Sequence, residues 1–301
     1  MKIIKIMILL TLTTGLLACT VPHSGTASDK AQPNAQEVSA MPKIGLQLWS
    51  IKDNVKQDFK GTLTQVANMG FKGVEFAGDY GPFTGDGKRL KAFLNSLGLT
   101  ASAAHIRFKD FNEANFSQSV AFFRDAGINT LIVPWDDRAW DKNKIQALVT
   151  DLNQLAAKLT REGFHFGYHN HDEEFNRYGN ATFWDHIARA TSKEFVLQMD
   201  VGWVTYAEHN PLTYIKRYPG RTLTTHFKAK LPKSAQGLAG KRAIIGDDIT
   251  DWASVIKTDI SHGGTEWFIV EQEEYPDGLT PLEAVKLSKQ GLDNIIASLK
   301  L

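Results

Sequence analysis

Short apolar runs rich in β-branched and aromatic residues recur along the chain at 44–49, 73–76, 99–105, 130–133, 166–169, 195–200, 223–226 and 267–271. Uninterrupted runs of this kind are expected of strands in a parallel sheet covered on both faces. Helical patterns separate them at 59–69, 87–97, 116–126, 144–162, 182–190, 211–218, 252–258 and 281–299. The clearest repeats apolar positions at Ile145, Leu148, Leu152, Leu155 and Leu159, the stripe of a helix packed on a sheet. Gly70, Gly98, Gly127 and Gly163 each follow a helical stretch shortly before the next strand, as helix stops. Eight strands strictly alternating with eight helices predict a closed (β/α)8 barrel, the TIM-barrel architecture, over residues 43–301. No Gly-x-Gly-x-x-Gly follows any strand, which disfavours an open dinucleotide-binding sheet.

The first 42 residues do not share this pattern. A basic start, Lys2 and Lys5, leads into a short apolar stretch ending Leu16-Leu17-Ala18-Cys19. That is the layout of an export signal over 1–18 and is too short for a spanning helix. Its end resembles a bacterial lipobox, in which Cys19 is lipidated; an ordinary signal peptide with an incidental cysteine is the alternative. The polar stretch up to residue 42 reads as a flexible linker. The barrel is therefore expected to be an exported, membrane-anchored lipoprotein facing the periplasm or cell exterior. Cys19 is the sole cysteine, so a disulfide framework and a thiolate zinc site are excluded. A net charge of +1 without a Lys/Arg block gives no electrostatic basis for binding nucleic acid. The chain carries no signal that sets an oligomeric state.

Chemistry-bearing residues gather where the predicted strands end, the face on which such barrels hold their active sites. His169, Asp200, His226 and Glu271 close four successive strand runs. Two imidazoles and two carboxylates converging there would bind one divalent metal ion of borderline hardness: manganese, cobalt or zinc. Such an ion polarises a carbonyl and stabilises an enediolate, so that a nearby base can remove the adjacent carbon-bound proton. Glu75 and His105 end the second and third strands, and Glu174 lies in the loop after the fifth; each is a candidate acid, base or substrate ligand. His171, just past a strand end, and Lys228 are candidate substrate contacts. So are the indoles of Trp49 and Trp203, with Trp135 similarly placed, unless they serve core packing. The loop over 228–248 is long enough to serve as a lid.

The segments FGYHNHDEEF at 166–175, LQMDVGWV at 197–204, YPGRTLTTHFK at 218–228 and the run ending in Glu271 resemble the xylose-isomerase-like TIM-barrel superfamily. This superfamily includes sugar phosphate isomerases/epimerases, ketose 3-epimerases, inosose dehydratases and the endonuclease IV group. The resemblance implies one metal held by His169, Asp200, His226 and Glu271, with Glu271 serving as ligand and base. Ketose epimerases carry a glutamate where this chain has His169, so a symmetric two-glutamate epimerisation is not expected. Trp203 stands where the endonuclease IV group has a histidine, which argues against a trinuclear metal cluster. The function expected is a metal-dependent carbohydrate isomerase or epimerase. The alternatives are a lyase cleaving 3-keto-glycosides by β-elimination and a sugar-binding lipoprotein without turnover. Outside the cytoplasm, unphosphorylated ketoses, inososes or oxidised glycosides are the expected substrates.

Overall fold

The computed structural model of the protein describes residues 41–235, 237, 238 and 240–299. The expected signal segment, Cys19 and nearly all of the linker lie outside the described residues. Ten strands form in chain order: β1 (Lys43–Gln47), β2 (Gly73–Phe76), β3 (Thr100–His105), β4 (Thr130–Val133), β5 (His165–His169), β6 (Arg177–Tyr178), β7 (Ala181–Thr182), β8 (Val196–Asp200), β9 (Thr224–Phe227) and β10 (Trp267–Val270). Eight of them close into a barrel in the order β1-β10-β9-β8-β5-β4-β3-β2, all neighbours parallel. The other two, β6 and β7, make a small antiparallel hairpin in the loop after β5, which the hydrophobic pattern did not announce.

The helix over Ile145–Arg161 shows how the pattern becomes packing. Ile145, Leu148, Val149, Leu152, Leu155 and Leu159 are all buried, and burial of each such side chain is worth about 1.5–3 kcal/mol. The four expected stop glycines have φ between 69° and 88°, a left-handed conformation that costs glycine little. Two ends differ from the sequence reading in ways that matter. β1 stops at Gln47, and a tight 3-10 turn over Leu48–Ile51 carries Trp49 over the rim. β10 stops at Val270, so Glu271 sits one residue beyond the ladder.

A short helix, Val201–Tyr206, follows Asp200 directly, and the Asp200 Oδ1 caps it by accepting the Trp203 N–H at 2.9 Å. The loop expected as a lid is anchored at both ends. Ala229 and Leu231 are buried, as are Ala243, Ile244 and Ile245, and Gln272 Nε2 donates to the Ala243 carbonyl at 2.6 Å. Among the described residues no helix is long and apolar enough to cross a membrane.

Candidate metal centre and active site

Side chains alternate along a strand, so residues two apart share a face. The strand-end residues of the barrel interior therefore stand above a second interior layer. In β8, Asp200 stands above Gln198; in β9, His226 stands above Thr224; Gln47 and Glu75 join them from β1 and β2. All four members of the lower layer are completely buried. The ligand atoms of His169, Asp200, His226 and Glu271 lie within 4.8 Å of one another above it.

The lower layer decides which way the imidazoles point. Gln198 Nε2 donates to Glu75 Oε2 at 2.8 Å and to Thr224 Oγ1 at 2.6 Å, so its Oε1 is the end that faces the histidines. His169 Nδ1 must donate to that oxygen at 3.0 Å, which leaves the Nε2 lone pair facing Asp200 Oδ2 at 3.8 Å. His226 Nε2 donates to Glu75 Oε1 at 2.7 Å, which turns Nδ1 toward Glu271 Oε2 at 2.8 Å and Asp200 Oδ2 at 4.0 Å. A carboxylate behind a ligating histidine fixes ring and tautomer in this way. Asn170 clamps the backbone of Asp200: its Oδ1 accepts the Asp200 N–H at 2.9 Å and its Nδ2 donates to the Asp200 carbonyl at 3.2 Å.

The donor set fits a divalent cation. Asp200 Oδ2 is fully buried and has no hydrogen-bond partner among the described residues, a costly arrangement unless something positive is held there. Lys228 Nζ supplies part of that charge from one side, 3.2 Å from Asp200 Oδ2 and 3.1 Å from Glu271 Oε2. A second trio, His105, His169 and His226, also has its ligand atoms within 4.8 Å. It is spent, however, because His105 Nε2 and His226 Nε2 both turn to Glu75 Oε1, at 2.9 and 2.7 Å.

Charge in the site is set by these neighbours. Burial and the surrounding imidazoles hold His169 well below its ordinary value, so it is neutral as a ligand must be. Burial pulls His226 down, but Glu75 and Glu271 on its two sides push it up to about 10, so its Nδ1 holds a proton toward Glu271 that a divalent ion would have to displace. Burial raises Asp200 to about 6 against the pull of Lys228. Glu271, despite its burial, is held well below the carboxylate range by Lys228 and His226. Burial and the Lys228 charge lower His171 to about 3.

A cavity of about 330 Å³ opens above the cluster, lined by Trp49, Ala77, His105, Pro134, Trp135, His169, His171, Glu271 and Glu273. Of the residues singled out from sequence, Trp49, His105, Trp135, His169, His171 and Glu271 thus meet at one mouth. His171 Nδ1 is buried there and has no hydrogen-bond partner among the described residues. The others are placed differently. Glu75 is completely buried beneath the cluster and away from the cavity, its oxygens taken by Gln47, Gln198, His226 and His105. Glu174 is also completely buried: it accepts from the Tyr168 hydroxyl at 2.8 Å and the His171 N–H at 2.9 Å, and burial raises it to about 7. It holds the loop that carries His171.

Lys228 lies behind the cavity wall, 2.6 Å from Glu273 Oε2, with its ammonium 4.9 Å from the Trp203 ring centre. A Cβ at Gly202 would come within 2.5 Å of the Lys228 carbonyl and 2.8 Å of its side chain, so only glycine admits this approach. Gln47, Asn170, Gln198 and Glu273 complete the site without having been singled out. The signal for Gln47 and Gln198 was a polar residue inside an otherwise apolar strand run.

Comparison with known proteins agrees with this architecture. An inosose dehydratase from Clostridium botulinum is 23% identical over 284 residues, 81% of this chain and 88% of that enzyme. One from Bacillus licheniformis is 26% identical over 168 residues, and there the match spans only 53% of the relative. A sugar phosphate isomerase/epimerase from Parabacteroides distasonis superposes with a TM-score of 0.70 at 22% identity, over 87% of this chain and 96% of that one. An IOLI protein, solved with a bound zinc atom, superposes with a TM-score of 0.58 at 14% identity, over 85% and 99%. At these identities the structural likeness speaks for the fold. The family model for xylose isomerase-like TIM barrels matches residues 63–297, most of the chain, and the protein belongs to that family.

Proposed function

We propose that this protein is a metal-dependent carbohydrate enzyme that removes a proton beside a carbonyl and completes the reaction by elimination. The carrying observation is the one-sidedness of the carboxylates. Glu271 and Glu273 line the cavity, whereas Glu75 and Glu174 are buried away from it with their oxygens engaged. The two-glutamate epimerisation of the ketose epimerases needs a second cavity carboxylate, and the position of that glutamate is His169 in this chain.

A divalent ion held by His169, Asp200, His226 and Glu271, with zinc, manganese and cobalt as candidates, would supply Lewis-acid polarisation of the carbonyl oxygen. The protein's own groups account for the proton. Glu271 Oε2 is the oxygen turned into the ligand cluster, 2.8 Å from His226 Nδ1 and 3.1 Å from Lys228 Nζ, which leaves Oε1 to accept the carbon-bound proton. Lys228 keeps that carboxylate ionised. Loss of the proton leaves an enediolate, and a leaving group on the next carbon departs with its electron pair and takes up the proton that Glu271 accepted, directly or through water, which returns Glu271 to its carboxylate. His171 is suited to a substrate hydroxyl through its unpartnered Nδ1, and Trp49 and Trp135 at the rim are suited to a sugar's C–H face. Relatives named inosose dehydratase support this reading. A second reading, isomerisation through the same proton removal, draws on the fold neighbour named sugar phosphate isomerase/epimerase.

The test is solvent exchange. Protein reconstituted with zinc, manganese or cobalt is incubated in heavy water with keto-sugars, inososes and keto-glycosides and followed by NMR. Loss of the proton beside the carbonyl with release of a leaving group is expected, and Glu271→Gln should slow it by about 100-fold or more. A new ketose in place of a leaving group would select isomerisation. Bound sugar without exchange across the panel would overturn both in favour of a binding protein.

A further inference from the structure

A second and larger cavity, about 530 Å³, adjoins the first and shares Trp49, Ala77, His105 and Pro134 with it. Both are of the size that holds a ring-sized ligand. The shared residues stand between the two spaces, so the second lies immediately past His105 from the metal cluster. This space lies over β2 and β3, away from the four ligand-bearing strands, and no step of the proposed reaction uses it.

Its lining combines two kinds of surface. One side is aromatic: the Tyr80 ring packs edge-on to Phe122 at 4.8 Å and at a tilt to Phe76 at 5.1 Å. The other side is polar. Arg107 holds Asp110 in a bidentate pair, Nε to Oδ2 at 3.2 Å and Nη2 to Oδ1 at 3.1 Å, with the exposed Gln118 and with Ser119 alongside. The pair is prearranged, and its remaining N–H groups and lone pairs can meet hydroxyls. The Tyr80 hydroxyl has no hydrogen-bond partner among the described residues, and burial with the Asp110 charge keeps its proton on. An aromatic face opposite a fan of donors and acceptors matches a pyranose, which is apolar on its C–H faces and polar around its edge.

We infer that the cavity bounded by Tyr80, Arg107, Asp110 and Phe122 is a second sugar subsite, so that the substrate is a disaccharide-sized glycoside with its second ring bound there. The inference rests on the reading above that the first cavity takes a carbonyl-bearing sugar.

Binding of unoxidised probes separates the two claims. Glucose, trehalose, maltose, cellobiose and sucrose are titrated into the full chain and followed by calorimetry and ligand-observed NMR. At least one disaccharide should bind 10-fold or more tightly than glucose, and Arg107→Ala should reduce that ratio to near one. Gln118→Trp, an exposed helix position where a large side chain costs the fold little, should do the same by filling the space. Equal affinity for glucose and every disaccharide, or a preference that survives both substitutions, would overturn the subsite. Neither result bears on proton exchange at Glu271, which the heavy-water experiment reads independently.

Discussion

Asp200 and Asp259 are both completely buried; among the described residues Asp200 keeps one carboxylate oxygen without a hydrogen-bond partner and Asp259 keeps both. Their surroundings differ. Asp200 ends a barrel strand and faces Lys228, two imidazoles and Glu271. Asp259 begins a π-turn, Asp259–Gly263, in the helical layer, where hydroxyls of Thr225 and Thr265 are the groups that offset its burial. Burial pushes Asp259 up to about 8, whereas Asp200 rises only to about 6 because Lys228 opposes it. The same side chain is therefore a candidate ligand where cations and lone pairs converge, and one that keeps its proton where they do not.

The largest effect expected from this contrast comes from removing a ligand. His226→Ala should take metal content from about one ion per chain to nearly none, a loss beyond the 10–100-fold typical of groups behind the ligands. Circular dichroism should show the barrel intact, since this face of the fold serves function more than stability. Undiminished metal content would put Asp200 in the same class as Asp259.

Glu75 gives the next largest effect. Because it touches His226 Nε2 and His105 Nε2 but not the cavity, Glu75→Gln should weaken metal binding about 10–100-fold through the histidine it orients. Unchanged metal affinity with lost turnover would instead assign Glu75 to proton transfer.

The smallest effect concerns Asp259 and is read in stability. The folded chain keeps this proton up to about pH 8, while the unfolded chain releases it near pH 3.9. The folded state therefore binds more protons across that window, and this contribution to stability is lost as pH rises through it. Asp259→Asn should flatten the dependence and raise the melting temperature at pH 8 by about 2–4 °C or more. A variant whose melting curve tracks the wild type from pH 4 to 8 would show that Asp259 is ionised and partnered like the site carboxylates.

Much of the candidate site was legible before folding. His169, Asp200, His226 and Glu271 could be read because each closes a short apolar run, and the ends of successive parallel strands must meet at one rim. Glu75 and Glu174 read as candidate acids, bases or substrate ligands beside Glu271, one ending a strand and the other in the loop after one. They separate only when the barrel closes and the engaged oxygens become visible. The short helix after Asp200 escaped the hydrophobic pattern because six residues carry too little periodicity, and its stability comes from the Asp200 cap. The hairpin of β6 and β7 was too short to register for the same reason.

The sequence by itself determined the count and order of the eight barrel strands and of the main helices between them, and with them the face on which the polar strand ends gather. These follow from local periodicity and chain connectivity. Tertiary structure alone decided which carboxylates reach the cavity, which imidazole nitrogen each histidine offers, and that a second cavity lies beyond His105. Those depend on contacts between strands far apart in the chain, such as Glu75 with Gln198 and His226, which closure of the barrel brings within hydrogen-bonding distance.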